Sequence, residues 1–320
     1  MPMVSLISCW LRVAKSLQLY VITQAAVTTA VCAFRDLCVS KTPRFFLQNP
    51  LLPGFGLSFG FSTFYISLVI LFPLSALLLY VSDMSWAQYW RAISDPRVVQ
   101  SYKVTVSGAF YATVATLFIG LLLAWIITRY DFPGRRLVDA FIDLPFALPT
   151  SVAGLTLATL LAPSGWIGQW LEPMGIKLAY AYPGILIAMV FTSLPFVVRT
   201  VQPVLQDLGR DYEEAASTLG ASRLQTFFYV VLPTLTPALV TGASQSFIRS
   251  LGEFGAVIMI AGNIPFKTEV TSLMIFVRLQ EFNHNAAAAI ASVILLASLV
   301  LLFGLQVLQG RLFKWQRQGK

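Results

Sequence analysis

Charge is what this sequence has least of. Of its 320 residues only 11% are Asp, Glu, Lys or Arg, while 57% are hydrophobic. A water-soluble domain usually carries about a quarter charged residues. So few charges cannot clothe a water-facing globule of this length, and most of the surface must face lipid. Histidine is nearly absent, with one residue, which leaves no basis for a His-based metal site. The three cysteines, Cys9, Cys32 and Cys38, all precede the hydrophobic body, so neither a disulfide frame nor a cysteine nucleophile is needed there. No stretch reads G-x-x-x-x-G-K-[ST], H-E-x-x-H or G-x-S-x-G. The chain therefore carries no phosphate-cradling loop, and no catalytic residue, metal or cofactor is expected in it. Any uphill transport must draw on a partner or an ion gradient. A net charge of +8 invites a nucleic-acid reading. Loops facing a cytoplasm and an anionic leaflet explain it better, and no nucleic acid is expected as a partner.

What is there, instead, is long apolar runs. A helix needs about 20 apolar residues to cross the hydrocarbon core. Six runs qualify: 45–82 (strongest over 59–81), 104–128, 144–171, 178–198, 232–260 and 282–310. The expectation is an all-α, polytopic membrane bundle of six core helices over residues 51–320, after an N-terminal extension at 1–50. Within that extension, 17–34 reads equally as an extra span, an interfacial helix or an uncleaved signal-like segment. Prolines fall inside several runs (Pro73, Pro149, Pro195, Pro237). Each removes a backbone hydrogen bond and tends to bend or break its helix. A broken helix suits a transport path, although prolines are also simply frequent in membrane helices.

Lys and Arg set the orientation. With 1–58 on the cytoplasmic side and six alternating spans, the inside segments carry fifteen Lys and Arg and the outside segments six, Arg249 lying within a span. Both ends of the core are then cytoplasmic, as is the loop between spans four and five. That loop contains Gly209-Arg210-Asp211-Tyr212-Glu213-Glu214-Ala215-Ala216-Ser217-Thr218-Leu219-Gly220. Asp211 is a good N-cap, and Glu213 and Glu214 complement the helix dipole. Gly220 ends the short helix by adopting positive φ. A second helix is expected from Ala221 to Leu232-Pro233, so that 209–231 forms two short helices meeting at a glycine elbow. Small residues there permit close approach, and the acids give polar grip.

This loop resembles the EAA loop of bacterial ABC importer permeases: Glu214-Ala215-Ala216, then Gly220, Val230 and Leu232-Pro233 at the matching distances, with Val in place of the more usual Ile. The resemblance implies a type I ABC importer permease fold and a loop that docks in a cytoplasmic ATPase through Glu213, Glu214, Ala215, Ala216 and Gly220. Three further segments narrow the family. They are Asp143-Leu144-Pro145-Phe146-Ala147-Leu148-Pro149-Thr150-Ser151-Val152-Ala153-Gly154, Ala162-Pro163-Ser164-Gly165-Trp166-Ile167-Gly168 and Arg249-Ser250-Leu251-Gly252-Glu253-Phe254-Gly255-Ala256. Together they resemble the CysT-type sulfate/thiosulfate permeases, from about residue 51 onward. The Leu251–Ala256 segment is shared with molybdate permeases, which keeps a molybdate or tungstate permease as the alternative. An ion-coupled secondary transporter is the more distant one. The implied partners are a second related permease, two copies of an ATPase that binds the ATP, and a soluble sulfate-binding protein. The implied place is a bacterial plasma membrane, with a plastid envelope as the other setting.

Two places are candidates for the anion path. Arg249 and Glu253 are four apart within an apolar run, where ionised groups are costly and mark functional or paired sites. Either Arg249 meets the anion and Glu253 holds it when the path is empty, or the two only neutralise each other. Pro149, Thr150 and Ser151 are the other place. A proline-broken helix start frees backbone N–H groups for an anion, or its hydroxyls merely bond their own backbone. Trp166, Trp170, Tyr180 and Tyr182 read first as interfacial anchors.

Overall fold

A computed structural model describes residues 55–312. The chain falls into two compact units, Met1–Leu71 and Phe72–Lys320. The N-terminal extension, the 17–34 segment and the cysteines lie outside the described residues. The described part of the first unit is the leading arm of helix α1 (Phe55–Ser82), whose Phe59, Phe61, Phe64 and Ile70 are exposed. Such a surface suits lipid and not water.

In the second unit α1 ends and a capping box of Ser85 and Gln88 starts the short helix α2 (Trp86–Ile93). Asp95 then caps α3 (Pro96–Arg129) by accepting from the Arg97 N–H at 2.9 Å, with Pro96 at the first position. At 34 residues α3 is ~51 Å long against a hydrocarbon core of ~30 Å, so its charged ends can lie beyond the membrane. The chain continues through α4 (Arg135–Ala147), α5 (Thr150–Leu161), the single turn α6 (Gly168–Leu171) and α7 (Tyr182–Asp207). Next come α8 (Asp211–Thr218), the turn α9 (Arg223–Thr226), a π-helical turn at Phe227–Val231 and α10 (Leu232–Leu251). Helices α11 (Gly255–Ile260), α12 (Thr271–Gln280) and α13 (His284–Leu312) complete the fold. No strand occurs among the described residues.

Among the described residues, five helical segments are long and apolar enough to cross a membrane: Ser58–Ser82, Pro96–Arg129, Tyr182–Leu208, Arg223–Leu251 and His284–Val307. The expected third span is different. Residues 144–171 do not form one helix; α4 and α5 meet at Leu148-Pro149 with a bend of 113°. Pro149 cannot donate to α4, and its ring disfavours helical geometry at Leu148, which is extended with ψ 137°. The fifth expected span also breaks, since α10 stops at Leu251 and α11 begins at Gly255. Other prolines do not break their helices: Pro73, Pro195 and Pro237 all lie inside continuous ones.

The core is centred on α7. Ser107 accepts from the Tyr182 hydroxyl at 2.9 Å, Thr116 meets Ser193 at 3.1 Å, and Arg129 reaches Gly209 at 2.7 Å. These pairs rise together along both segments, so α3 and α7 run parallel. Glycines allow the approach. A Cβ on Gly120 would lie 2.8 Å from Val197, and one on Gly242 of α10 would lie 3.1 Å from the same residue. Lipid tails are as apolar as leucine, so close van der Waals packing of this kind must supply what the hydrophobic effect supplies in water. Ile127, Val201, Leu205, Val231 and Leu235 fill the space between α3, α7 and α10 at the end where α8 begins.

Ion pairs that no local pattern reveals fasten the ends. Arg97 grips Glu269 through two bonds of 2.8 and 2.7 Å, joining the start of α3 to the segment before α12. Arg199 on α7 donates to both oxygens of Asp143 at 2.8 and 2.6 Å and to Asp139 at 2.8 Å, fastening α4 to α7. A bidentate Arg–carboxylate pair fixes orientation as well as distance.

Candidate ATPase-contact elbow and transport path

The elbow is built as its glycine requires. Helix α8 opens with Asp211, Glu213 and Glu214 in its first turn. Asp211 is not the cap: Arg210 holds that position, in helical geometry and without a side-chain cap bond. Asp211 is instead the first helical residue, where its charge still favours the positive end of the dipole. Gly220 has φ 83°, and a Cβ there would meet nothing within 4 Å. Its glycine is thus required by backbone geometry, not by space. Ser222 and Gln225 form a capping box that starts α9. The second helix does not end as a separate peg. It runs through the π-turn into α10, giving one continuous segment, Arg223–Leu251.

Glu213 and Glu214 have different surroundings. Glu214 is exposed, as are Ala215, Ser217 and Thr218, while Ala216 is buried against the bundle. Glu213 turns inward and pairs with Arg129 at 2.7 Å. Leu219, Leu224 and Tyr229 of the elbow are also exposed, Leu219 by 88%.

The two path candidates are brought together. Helices α5 and α11, each starting after a break, pack side by side. A Cβ on Gly255 would strike the Thr150 hydroxyl, and one on Gly154 would strike the Ala256 backbone. Arg249 is on the last turn of α10, but Glu253 is in the break beyond it and does not share its helix face. They still approach to 2.5 Å, without hydrogen-bond geometry at Glu253 Oε2. Glu253 is 1% exposed, and its other oxygen accepts from the Ala256 N–H at 2.9 Å. That oxygen satisfies a free N–H in the first turn of α11. The Arg249 side chain is 31% exposed and is the member of the pair that reaches open space. Ser246 and Ser250, one turn apart on α10, are fully buried with hydroxyls that have no partner, and the sequence reading had not singled them out. Of the expected anchors, Trp166 and Trp170 are well exposed, whereas Tyr182 points into the bundle at Ser107.

A family model described as the binding-protein-dependent transport system inner membrane component matches residues 116–318. The chain belongs to this family. It is 63% identical over 261 residues to the sulfate transport system permease protein CysT of Escherichia coli (strain K12), covering 82% of this chain and 94% of that one. It is 47% identical over 245 residues, covering 77% and 86%, to the probable sulfate transport system permease protein of Chlorokybus atmophyticus. Within the family it is thus of the CysT type, in line with its Pro145–Thr150 and Pro163–Gly168 segments, and not of the molybdate type that shares Leu251–Ala256. A solved bacterial ABC transporter involved in the import of the polysaccharide alginate superposes with a TM-score of 0.69 at 17% identity, covering 81% of this chain and 96% of that chain. The type I importer permease fold is therefore present, embedded in a membrane.

Proposed function

We propose that this permease carries sulfate, and with it thiosulfate, across the membrane as one half of a transmembrane pair, driven by an ATPase seated on the α8–Gly220–α9 elbow. The observation that carries the coupling half is that elbow. Glu214, Ala215 and Leu219 stand exposed on a turn whose glycine sets the angle between two helices. The sulfate half is supported by the names of the relatives and by the polar meeting of the two helix breaks. A second related permease, two ATPase copies that bind the ATP, and a soluble sulfate-binding protein complete the assembly. The elbow and both core ends lie on the cytoplasmic side, in keeping with the Lys and Arg count. The structure is in keeping with this in one respect: the C-terminal ends of α3 and α7 and the whole elbow lie at one end of the bundle. Arg249 faces the path, while Pro149, Thr150 and Ser151 supply hydroxyls and a free helix start beside it.

Uptake of labelled sulfate and labelled molybdate into vesicles holding the full assembly tests this reading. Sulfate is expected to enter with ATP and molybdate not to compete. Arg249→Ala is expected to slow sulfate uptake while leaving the ATPase bound. Equal uptake of both anions, or uptake independent of ATP, would overturn the assignment.

A further inference from the structure

We infer that Arg129, at the C-terminal end of α3, is a positioning residue that makes α3 move with the elbow. This rests on the coupling role proposed for that elbow, and it adds the route by which a displacement there enters the membrane. Chain connectivity alone ties α8 to α7 before it and to α10 after it. Nothing in the sequence ties it to α3, whose last residue is 80 positions from Gly209.

Arg129 makes that tie. One of its guanidinium nitrogens, Nη2, donates to the Gly209 carbonyl at 2.7 Å and pairs with Glu213 at 2.7 Å. In return the Arg210 guanidinium donates to the Arg129 carbonyl at 2.8 Å. Arg210 thus satisfies a carbonyl in the last turn of α3, where four such groups lack intrahelical partners and a cation complements the dipole, while Arg129 holds the Gly209 carbonyl between α7 and α8. The exchange locks the end of α3, the end of α7 and the start of α8 into one junction. Arg129 is its enclosed member: the side chain is 8% exposed, against 25% for Glu213, and its guanidinium stands 5.7 Å from the Trp125 ring centroid. Trp125 in turn packs edge-on to Phe227 at 5.5 Å, where the π-turn leads into α10. Both arms of the elbow are therefore held to the last turn of α3. A buried, paired charge resists separation, because either partner alone would be left desolvated.

From that junction α3 reaches along the bundle. Thr116 meets Ser193, Thr105 meets Thr271 at 3.0 Å, and Arg97 grips Glu269 at the far end. A push on α8 that keeps the Arg129 junction intact must shift α3 against these contacts. Without the junction, α8 can tilt on α7 and α10 while α3 stays behind.

The test uses the full assembly in proteoliposomes, with Arg129→Gln and Arg129→Lys in the permease and labelled sulfate as the probe. For Arg129→Gln the ATPase is expected to remain bound and to hydrolyse ATP, while sulfate moved per ATP falls roughly tenfold, within the usual range of coupling between sites. Arg129→Lys, which retains the charge and can reach one partner, is expected to recover part of the loss. Unchanged sulfate per ATP would overturn the inference, and so would loss of the bound ATPase, since Arg129 would then only shape the docking face. If the Arg129→Gln permease itself does not fold, Glu213→Gln decides. It leaves the Gly209 bond in place, so a partial fall in sulfate per ATP supports the inference and native coupling refutes it. Glu214→Lys on the exposed face separates this from the coupling role itself. If that variant keeps ATPase binding and uptake, the elbow is not the docking site, whatever Arg129 does.

Discussion

Replacing Glu253 separates two jobs that one carboxylate performs. One oxygen accepts the Ala256 N–H at the start of α11, and the other lies against Arg249. Glu253→Gln keeps an acceptor for the Ala256 N–H and removes the charge. Glu253→Ala removes both. A lost cap costs about 1 kcal/mol. Breaking a fully buried ion pair costs ~3–5 kcal/mol, but the 31% exposure of Arg249 and the poor hydrogen-bond angle reduce this to roughly 1–2 kcal/mol. Glu253→Gln is therefore expected to lose roughly 1–2 kcal/mol and Glu253→Ala about 2–3 kcal/mol. At roughly 2–4 °C per kcal/mol, the alanine variant should melt about 4–12 °C lower, and the glutamine variant about 2–8 °C lower. Tryptophan-fluorescence melting of the purified permease in detergent measures both. Equal losses for Gln and Ala would show that the cap contributes nothing. A glutamine variant as stable as the native protein would show that the contact with Arg249 is not stabilising.

Two further outcomes follow from packing and from the ion pairs. Gly154→Ala should lower the melting temperature, by roughly 1–3 kcal/mol of overpacking, because its Cβ meets the Ala256 backbone and not a movable side-chain tip. Gly304→Ala, where a Cβ meets nothing within 4 Å, is the matched control and should be neutral or slightly stabilising in the same melt. Arg199→Lys should lose the fork that holds Asp143 and Asp139 together, costing roughly 1 kcal/mol at this half-exposed site. In a double-mutant cycle with Asp143→Asn the two losses should not add, and additive losses would mean that the fork does not hold α4 to α7.

The tryptophan-rich α2 shows where local reading suffices. Its capping box joins only Ser85 and Gln88, three positions apart. The same is true of Gly220, whose positive φ was expected from the helix it terminates. Asp211 shows the limit. Its side chain suits a cap, but Arg210 took helical geometry at the junction with Arg129 and moved the helix start by one residue.

By itself, then, the sequence determined the membrane class, the long apolar helices, the elbow and the family. Each of these depends on patterns that repeat or pair over a few residues, such as apolar runs, proline, glycine and a spaced motif. Only the tertiary structure decided that residues 144–171 bend through 113° and that α10 stops before Glu253. It alone showed that Thr150 meets Gly255 and that Glu213 faces Arg129 and not the exposed face. Pro149 is a local cause of the bend, but its angle and the pairings are not local. Buried charges and freed backbone groups must find partners wherever the fold brings them, and here those partners lie dozens of residues away.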